Sequence, residues 1–314
     1  MTQPAASVPS RVGFLGPLGT FTEMALLTQP DLASAELHAI GSISDVLFAT
    51  RDGEVDLGFV AIENSIEGSV NVTIDTLAFD LDLRIQREVV INVQLNLLAR
   101  RGVPIERIER VVSIPVAAAQ CRTFLHDHLP GVEMVAANST AEAAQMVADG
   151  DDGRIASIST ALAAEMYGLE VLAEDVEDHP ENQTRFVAVT PHGVPTPTGH
   201  DKTSIVVFQR TDRPGSLLGI LQEFAARAIN LTKLESRPTK TGLGDYCFLI
   251  DLEGHIADEV VGDCLRDLRA KCEDIKFLGS YPAAGEHGPG LRREAESNWR
   301  QADDWLQSLR SELD

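Results

Sequence analysis

The sequence predicts an α/β protein of two lobes joined by two chain crossings and followed by a separate βαββαβ sandwich. Three observations predict it. Between Arg11 and about Thr190, short apolar runs alternate with helix-like patterns, the order of α/β units on mostly parallel sheet. The apolar segment from Leu83 to Arg100 is too long for an ordinary strand and reads as a crossing from one lobe to the other. Beyond Lys202 the order becomes strand, helix, strand, strand, helix, strand, that of a ferredoxin-like sandwich.

Taken in order, RVGFLG, LGFVAIEN, RVVSIP, VEMVAA and RIASIS read as strands, and TFTEMALLTQ, SISDVLFATRDG, VAAAQCRTFLHDHL, STAEAAQMVADG and TALAAEMYG as the helices between them. A chain that crosses once must cross back, and the segment ending in FVAV is placed to do so. The expected divisions are a first domain at 10–190 with crossings near 83–100 and 170–190, a Pro/Gly/Thr-rich linker at 191–202, a sandwich at 203–282 and a tail at 283–314. In the sandwich, Pro238 excludes a central ladder position, so its strand lies at an edge or ends there. In the tail, Leu291, Ala295, Trp299, Ala302, Leu306, Leu309 and Leu313 recur at helical spacing and predict an amphipathic helix. Two lobes with two crossings leave a cleft, the default ligand site of such folds.

Composition excludes several function classes. At 314 residues with 44% apolar content the chain has the size of two or three compact soluble units. No apolar run is long enough to span a bilayer, and MTQPAASVPS lacks the features of a secretory signal, so the expected location is cytoplasmic, without a membrane partner. A net charge of −22 speaks against nucleic acid, although an anionic small molecule can still bind where backbone N–H groups and arginines converge. Cys121, Cys247, Cys264 and Cys272 form no CxxC pair and have no metal-ligand spacing with histidine, and are expected to be reduced core thiols. No metal or cofactor is expected.

Several stretches could carry chemistry, each with an ordinary structural reading beside it. GPLGTFTE fits no nucleotide loop, but Thr20 with Glu23 three residues later makes a capping box, and the helix start at Thr20, Phe21 and Thr22 would suit a carboxylate; taken alone, a plain capped βα turn explains the stretch somewhat better. Ser139 and Thr140 open a second helix of the same kind in the other lobe. In AIENSIEGS, a strand ends in Glu63, Asn64 and Ser65, where strands deliver active-site residues. Ser113 closes another strand, and Gln120 lies on the helix after it. Finally, Thr184 and Arg185, followed by Phe186, stand at the mouth of the FVAV strand after a polar turn.

Together GPLGTFTE, IENSIEGSV, NSTAEAA, NQTRFVAV, RPGSLLGIL and NLTKLESRP resemble prephenate dehydratase with a C-terminal ACT regulatory domain, over nearly the whole chain from Val12 to Pro282. The resemblance implies a two-lobed catalytic domain like type II periplasmic binding proteins and conversion of prephenate to phenylpyruvate. It also implies inhibition by L-phenylalanine between ACT domains and a homo-oligomer, dimer or tetramer. Carried over, the family's essential threonine is Thr184, its Glu-Asn-Ser motif is Glu63, Asn64 and Ser65, and its Ser and Gln fall on Ser113 and Gln120. Thr184 is then expected to protonate the departing hydroxyl, with Asn64 and Gln120 positioning the substrate, Glu63 fixing Asn64, and Arg185 or a helix start holding a carboxylate. The phenylalanine site is expected at Gly215, Leu217, Leu218, Asn230, Leu231, Glu235, Ser236, Arg237 and Pro238. The chain departs from the family pattern where Ile114, Pro115 and Val116 replace His-Pro-Gln, where Gln94 or Leu95 replaces a histidine, and where Ser216 follows Gly215. Arogenate is the close alternative substrate, and a non-catalytic amino-acid sensor the alternative of another class.

Overall fold

The computed structural model describes residues 9–150, 152–209, 213–240, 242, 245–285, 304–305, 308 and 310–311. The chain divides into two compact units, one of Met1–Thr76 with Val89–Ala188, the other of Leu77–Glu88 with Val189–Asp314. The predicted fold class is observed, with the secondary elements β1 to β15 and α1 to α10 described below. The apolar face expected in the tail lies outside the described residues.

The first lobe contains β1 (Arg11–Leu15), α1 (Phe21–Leu27), α2 (Pro30–Ala33), β2 (Glu36–Ile40), α3 (Ile43–Asp52), β3 (Leu57–Asn64), β4 (Gly68–Ser69), α4 (Asn71–Asp75) and β5 (Arg84–Asn92). The second contains β6 (Asn96–Ala99), β7 (Arg110–Ser113), α5 (Pro115–Ala119), α6 (Arg122–His128), β8 (Glu133–Ala136), α7 (Thr140–Asp149), β9 (Ile155–Ser159), α8 (Ala161–Tyr167) and β10 (Glu170–Ala173), after which β11 (Gln183–Thr190) follows. One sheet runs β2-β1-β3-β11-β5 with β4 against β3, the other β10-β6-β9-β7-β8. Thus β5 and β6, close in sequence, belong to different sheets, as do β10 and β11. Helix starts are capped by side chains: Thr20, Ser42, Ser139 and Thr160 each accept a backbone N–H three residues on, which supplies a partner to one of the four N–H groups a helix leaves open.

One predicted helix is broken. Residues 116–129 read as continuous, but α5 ends before Gln120 and α6 begins after Cys121. The cause lies elsewhere in the chain: the Asp178 backbone N–H bonds the Gln120 carbonyl at 2.5 Å, and the Asp178 carboxylate accepts the Thr123 N–H at 3.0 Å. The carbonyl that would continue one helix and the N–H that opens the next are both taken by one residue. Gln120 is left at a corner, its side chain released from the helix surface.

All four cysteines are free and buried. Burial, with the charges of Glu177 and Asp178 nearby, pushes the Cys121 thiol up to about 12, and burial likewise pushes Cys264 up to about 12. The thiolate is the reactive form. Iodoacetamide at pH 8 should therefore leave the folded protein unmodified by mass, with full labelling only after denaturation; native labelling of Cys121 or Cys264 would contradict this burial.

The C-terminal sandwich is built from β12 (Asp201–Phe208), α9 (Ser216–Ala225), β13 (Leu231–Pro238), β14 (Tyr246–Glu253), α10 (Glu259–Lys271) and β15 (Asp274–Pro282). Its antiparallel sheet runs β13-β14-β12-β15. Ile205, Val207, Phe224, Ile250 and Leu268 are among its fully or nearly fully buried core. β13 is an edge strand and ends in Pro238, where no ladder N–H is needed. Segment 77–88 packs in this same unit. Lys276 Nζ donates to the carbonyls of Ala78 and Leu81 at 3.2 and 2.7 Å, and Lys202 Nζ meets both oxygens of Glu88 at 2.9 Å. Gly279, at φ +151°, admits the Ile85 backbone so closely that a Cβ there would lie 2.5 Å from the Ile85 carbonyl oxygen.

Candidate active site

β3 ends in Asn64, and the chain turns at once. The Asn64 Oδ1 accepts the backbone N–H groups of Ile66 and Glu67, both at 2.9 Å, so this amide makes an Asx turn of its own. Its oxygen being so occupied, its NH2 must face the other way, toward the start of β11. There Asn64 Nδ2 donates to Thr184 Oγ1 at 2.9 Å, to Asn182 Oδ1 at 2.8 Å and to the Gln183 carbonyl at 3.2 Å. Because Thr184 Oγ1 accepts from Asn64, its own hydrogen remains available to another acceptor. Ser65 ties the same corner together: its N–H donates to the Gln183 carbonyl at 2.8 Å, and its hydroxyl accepts the Gln183 N–H at 2.9 Å.

From the second lobe, Gln120 reaches this corner because the helix breaks beneath it. Asn182 Nδ2 donates to Gln120 Oε1 at 3.1 Å, and Gln120 Nε2 donates to Glu67 Oε1 at 3.2 Å. Asn182 is 1% exposed and Gln120 8%, so the two amides meet away from bulk water. The structure thus brings Asn64, Ser65, Gln120 and Thr184 into one hydrogen-bonded group. Asn182 and Glu67 were missed in the sequence, although Asn182 stands two residues before Thr184, the spacing that puts side chains on one side of an extended chain.

Glu63 does not fix Asn64 as expected. Successive strand residues point to opposite faces, and the Asn64 amide is set by Ile66 and Glu67; the Glu63 carboxylate instead lies 3.4 Å from Arg185 Nη1. Arg185 is itself 9% exposed.

Three helix starts gather at a second meeting of the lobes. Thr160 donates its hydroxyl to the Gly19 carbonyl at 2.7 Å. A Cβ on Gly19, at φ +86°, would lie 3.3 Å from Ala163 Cβ and 3.5 Å from Ala141 Cβ, so glycine permits this approach of α1 to α7 and α8. Thr20, Thr22 and Thr140 are buried here, while Ser139 caps α7, and the Glu23 carboxylate receives the Gly19 N–H rather than that of Thr20. Phe21 packs against the cores of both lobes. The remaining two predicted contacts sit deeper: Ser113 donates to the Ile158 carbonyl at 2.9 Å, and Phe186, 1% exposed, stacks on Phe59. Both act as supports behind the surface. An apolar groove of about 380 Å³ beside Leu125, Leu129 and Met134 contains none of the candidate residues, and its walls offer no comparable set of amide and hydroxyl groups. Among the described residues no cluster of His, Cys, Asp or Glu could hold a metal ion, and no helix is long and apolar enough to cross a membrane.

In the sandwich, Gly215 opens α9 at φ +89°, Leu217 packs on the core and Leu218 is 58% exposed. Asn230 donates to Glu253 Oε1 at 3.0 Å. Along β13 exposure alternates, with Leu231, Glu235 and Arg237 on the more covered side and Ser236 and Pro238 outward; Glu235 lies between Lys233 and Arg237, at 3.7 and 3.1 Å.

A seam between two α/β lobes carrying two hydroxyls and three amides, with a βαββαβ sandwich behind it in the chain, fits a two-domain α/β enzyme. The family profile for prephenate dehydratase matches residues 12–193 and that for the ACT domain residues 203–270. The chain belongs to the prephenate dehydratase family. It is 44% identical to the prephenate dehydratase of Mycolicibacterium vanbaalenii, over 95% of this chain and 98% of that one. Among solved structures it resembles the prephenate dehydratase of Arthrobacter aurescens in complex with L-Phe, with TM-score 0.86 and 39% identity over 96% of this chain and 99% of that one. It also resembles GqqA, described as a novel type of quorum quenching acylase, with TM-score 0.77 and 28% identity over 87% of this chain and 98% of that one. A shared fold therefore hosts more than one described activity, and the site must carry the assignment.

Proposed function

We propose that this chain converts prephenate to phenylpyruvate, CO2 and water, with Thr184 as the proton donor. Prephenate has a carboxylate and a hydroxyl at opposite positions of a cyclohexadiene ring. When the ring C–C bond to the carboxylate breaks, its electrons aromatise the ring and expel the hydroxyl, which leaves as water once it takes up a proton. Hydroxide is a poor leaving group, so a donor at that oxygen is the main requirement. A threonine hydroxyl is a weak acid, and the observation that carries this reading is the Asn64 N–H aimed at its oxygen at 2.9 Å. That dipole, already oriented by the Asx turn, stabilises negative charge as Thr184 gives up its proton. Arg185 pairs with Glu63 at 3.4 Å on the face of the strands away from Thr184, so a helix start is the better candidate to hold a substrate carboxylate.

The test is to mix the protein with prephenate near neutral pH, with and without chelator, and to follow phenylpyruvate absorbance. Equal turnover in both supports a metal-independent dehydratase. Turnover of arogenate alone would move the substrate assignment, and turnover of neither would favour the amino-acid sensor.

The sandwich is read as the site of feedback by L-phenylalanine, held between two copies near Leu217, Asn230 and the stretch from Glu235 to Pro238. Support comes from the relative solved with L-Phe and from the outward Leu218 and Leu234, 58% and 44% exposed on α9 and the edge strand. A ligand that binds only the folded state at a hundred times its Kd stabilises it by about 2.7 kcal/mol. L-Phenylalanine should then raise Tm by several degrees and lower turnover, and sedimentation should show a dimer or tetramer. Binding without any change in turnover would end the regulatory reading.

A further inference from the structure

We propose that Asn182 and Glu67 are positioning residues that fix which way the Asn64 and Gln120 amides face, and through them the direction in which Thr184 offers its proton; this rests on the dehydratase reading above. A side-chain amide has nearly the same shape after a half-turn, so packing alone does not choose between its oxygen and its nitrogen. Hydrogen-bond partners choose, and here they form a closed circuit. It begins at the Glu67 backbone N–H, which with that of Ile66 holds Asn64 Oδ1 at 2.9 Å. The Asn64 NH2 therefore faces Asn182, whose Oδ1 accepts at 2.8 Å and also receives the Ser65 hydroxyl at 3.3 Å. Asn182 must then turn its NH2 to Gln120 Oε1, at 3.1 Å. Gln120 turns its own NH2 to Glu67 Oε1, at 3.2 Å, and an ionised carboxylate can only accept. The circuit returns to the residue where it began, and each amide is oriented at both ends.

Reversal at one point propagates. In an Asn182→Asp variant an oxygen faces Gln120 Oε1, so Gln120 either suffers two opposed acceptors or turns over and presents its oxygen to Glu67. Asn182 and Gln120 are too covered for water to replace the lost partner freely, at 1% and 8% exposure. The consequence expected is a slower chemical step with little change in substrate affinity, since the fold and the charge of the corner elsewhere are retained.

The experiment compares the full-length parent with Asn182→Asp, Asn182→Ala, Glu67→Gln and Glu67→Ala. With prephenate, well below each melting transition, both Asn182 variants should lose about 10- to 100-fold in kcat with KM within about threefold, and both should melt a few degrees lower because covered amides lose a partner. Glu67→Ala should lose about tenfold, and Glu67→Gln should recover most of that loss, because its amide oxygen can accept the same hydrogen bond. Parental kcat in Asn182→Asp would overturn the proposal, as would a Glu67→Gln variant as slow as Glu67→Ala, or losses that simply follow Tm. A second readout needs no turnover. In protein carrying ¹⁵N at asparagine and glutamine, the NH2 hydrogens of Asn64, Asn182 and Gln120 should exchange with D2O at least about tenfold more slowly than those of exposed Gln222, and Asn182→Asp should speed exchange at Gln120. Unchanged protection at Gln120 would overturn the circuit. If the parent lacks prephenate turnover but shows this protection, the dehydratase reading fails and the circuit stands.

Discussion

Thr184→Ala is expected to lower prephenate turnover by roughly a hundred- to ten-thousandfold, the range a well-placed general acid supplies. The cause is specific. The substitution removes the hydroxyl whose oxygen receives the Asn64 N–H at 2.9 Å, while Thr184 is only half-buried and gives up little packing. KM should change much less than kcat, because a proton donated as the C–O bond breaks is an interaction of the transition state. Thr184→Ser keeps the hydroxyl on a freer side chain and should fall between the two. A Thr184→Ala variant with most of the parental rate would leave the reaction standing and remove its proposed donor; an equal loss in Thr184→Ser would point to the methyl group and packing instead.

Lys202→Met is expected to be the most damaging single change for stability. Lys202 Nζ lies 2.9 Å from both oxygens of Glu88, and the Glu88 side chain is 2% exposed. Removing the lysine takes the ammonium away from both oxygens of a carboxylate that lies out of water, and breaking such a buried pair costs about 3–5 kcal/mol. A cooperative unit of this size should then lose about 10 °C or more in Tm. Adding Glu88→Leu removes that buried carboxylate and should recover much of the loss, though the Ala284 N–H, which donates to Glu88 Oε1 at 2.8 Å, is left without that acceptor. A single variant melting within about 2 °C of the parent would mean that water reaches Glu88 in solution.

What the sequence made legible were features decided locally. The capping pairs Thr20 with Glu23 and Ser139 with Glu142 lie three residues apart, and in both the cap hydroxyl accepts the N–H three residues on, while the carboxylate takes the N–H of the residue before the cap. The order of the sandwich followed from turn residues and apolar runs, and the edge position of β13 from one proline. What remained hidden depends on distant residues. Nothing between Pro115 and His128 announces a break at Gln120, because Asp178 makes it from 58 positions away, counting from 120 to 178. The same holds for the Glu63 carboxylate, whose partner Arg185 arrives from another strand. Asn182 is a different case: its two-residue spacing from Thr184 is visible in the sequence, but an asparagine in the polar turn HPENQ carries no mark that sets it apart from an ordinary turn former.

Segment 77–88 bears on how such proteins can be recombined. It lies well inside the stretch matched by the dehydratase family, 12–193, yet it packs in one unit with the sandwich. A chain ended at the linker near residue 195 would present Glu88 without its lysine, the Ala78 and Leu81 carbonyls without Lys276, and a bare Ile85 backbone where Gly279 had lain. The boundary drawn by ancestry and the boundary drawn by packing are different lines. An exchange of sandwiches between relatives would have to carry this landing strip with it, so the ACT domain is portable only together with a dozen residues of its host.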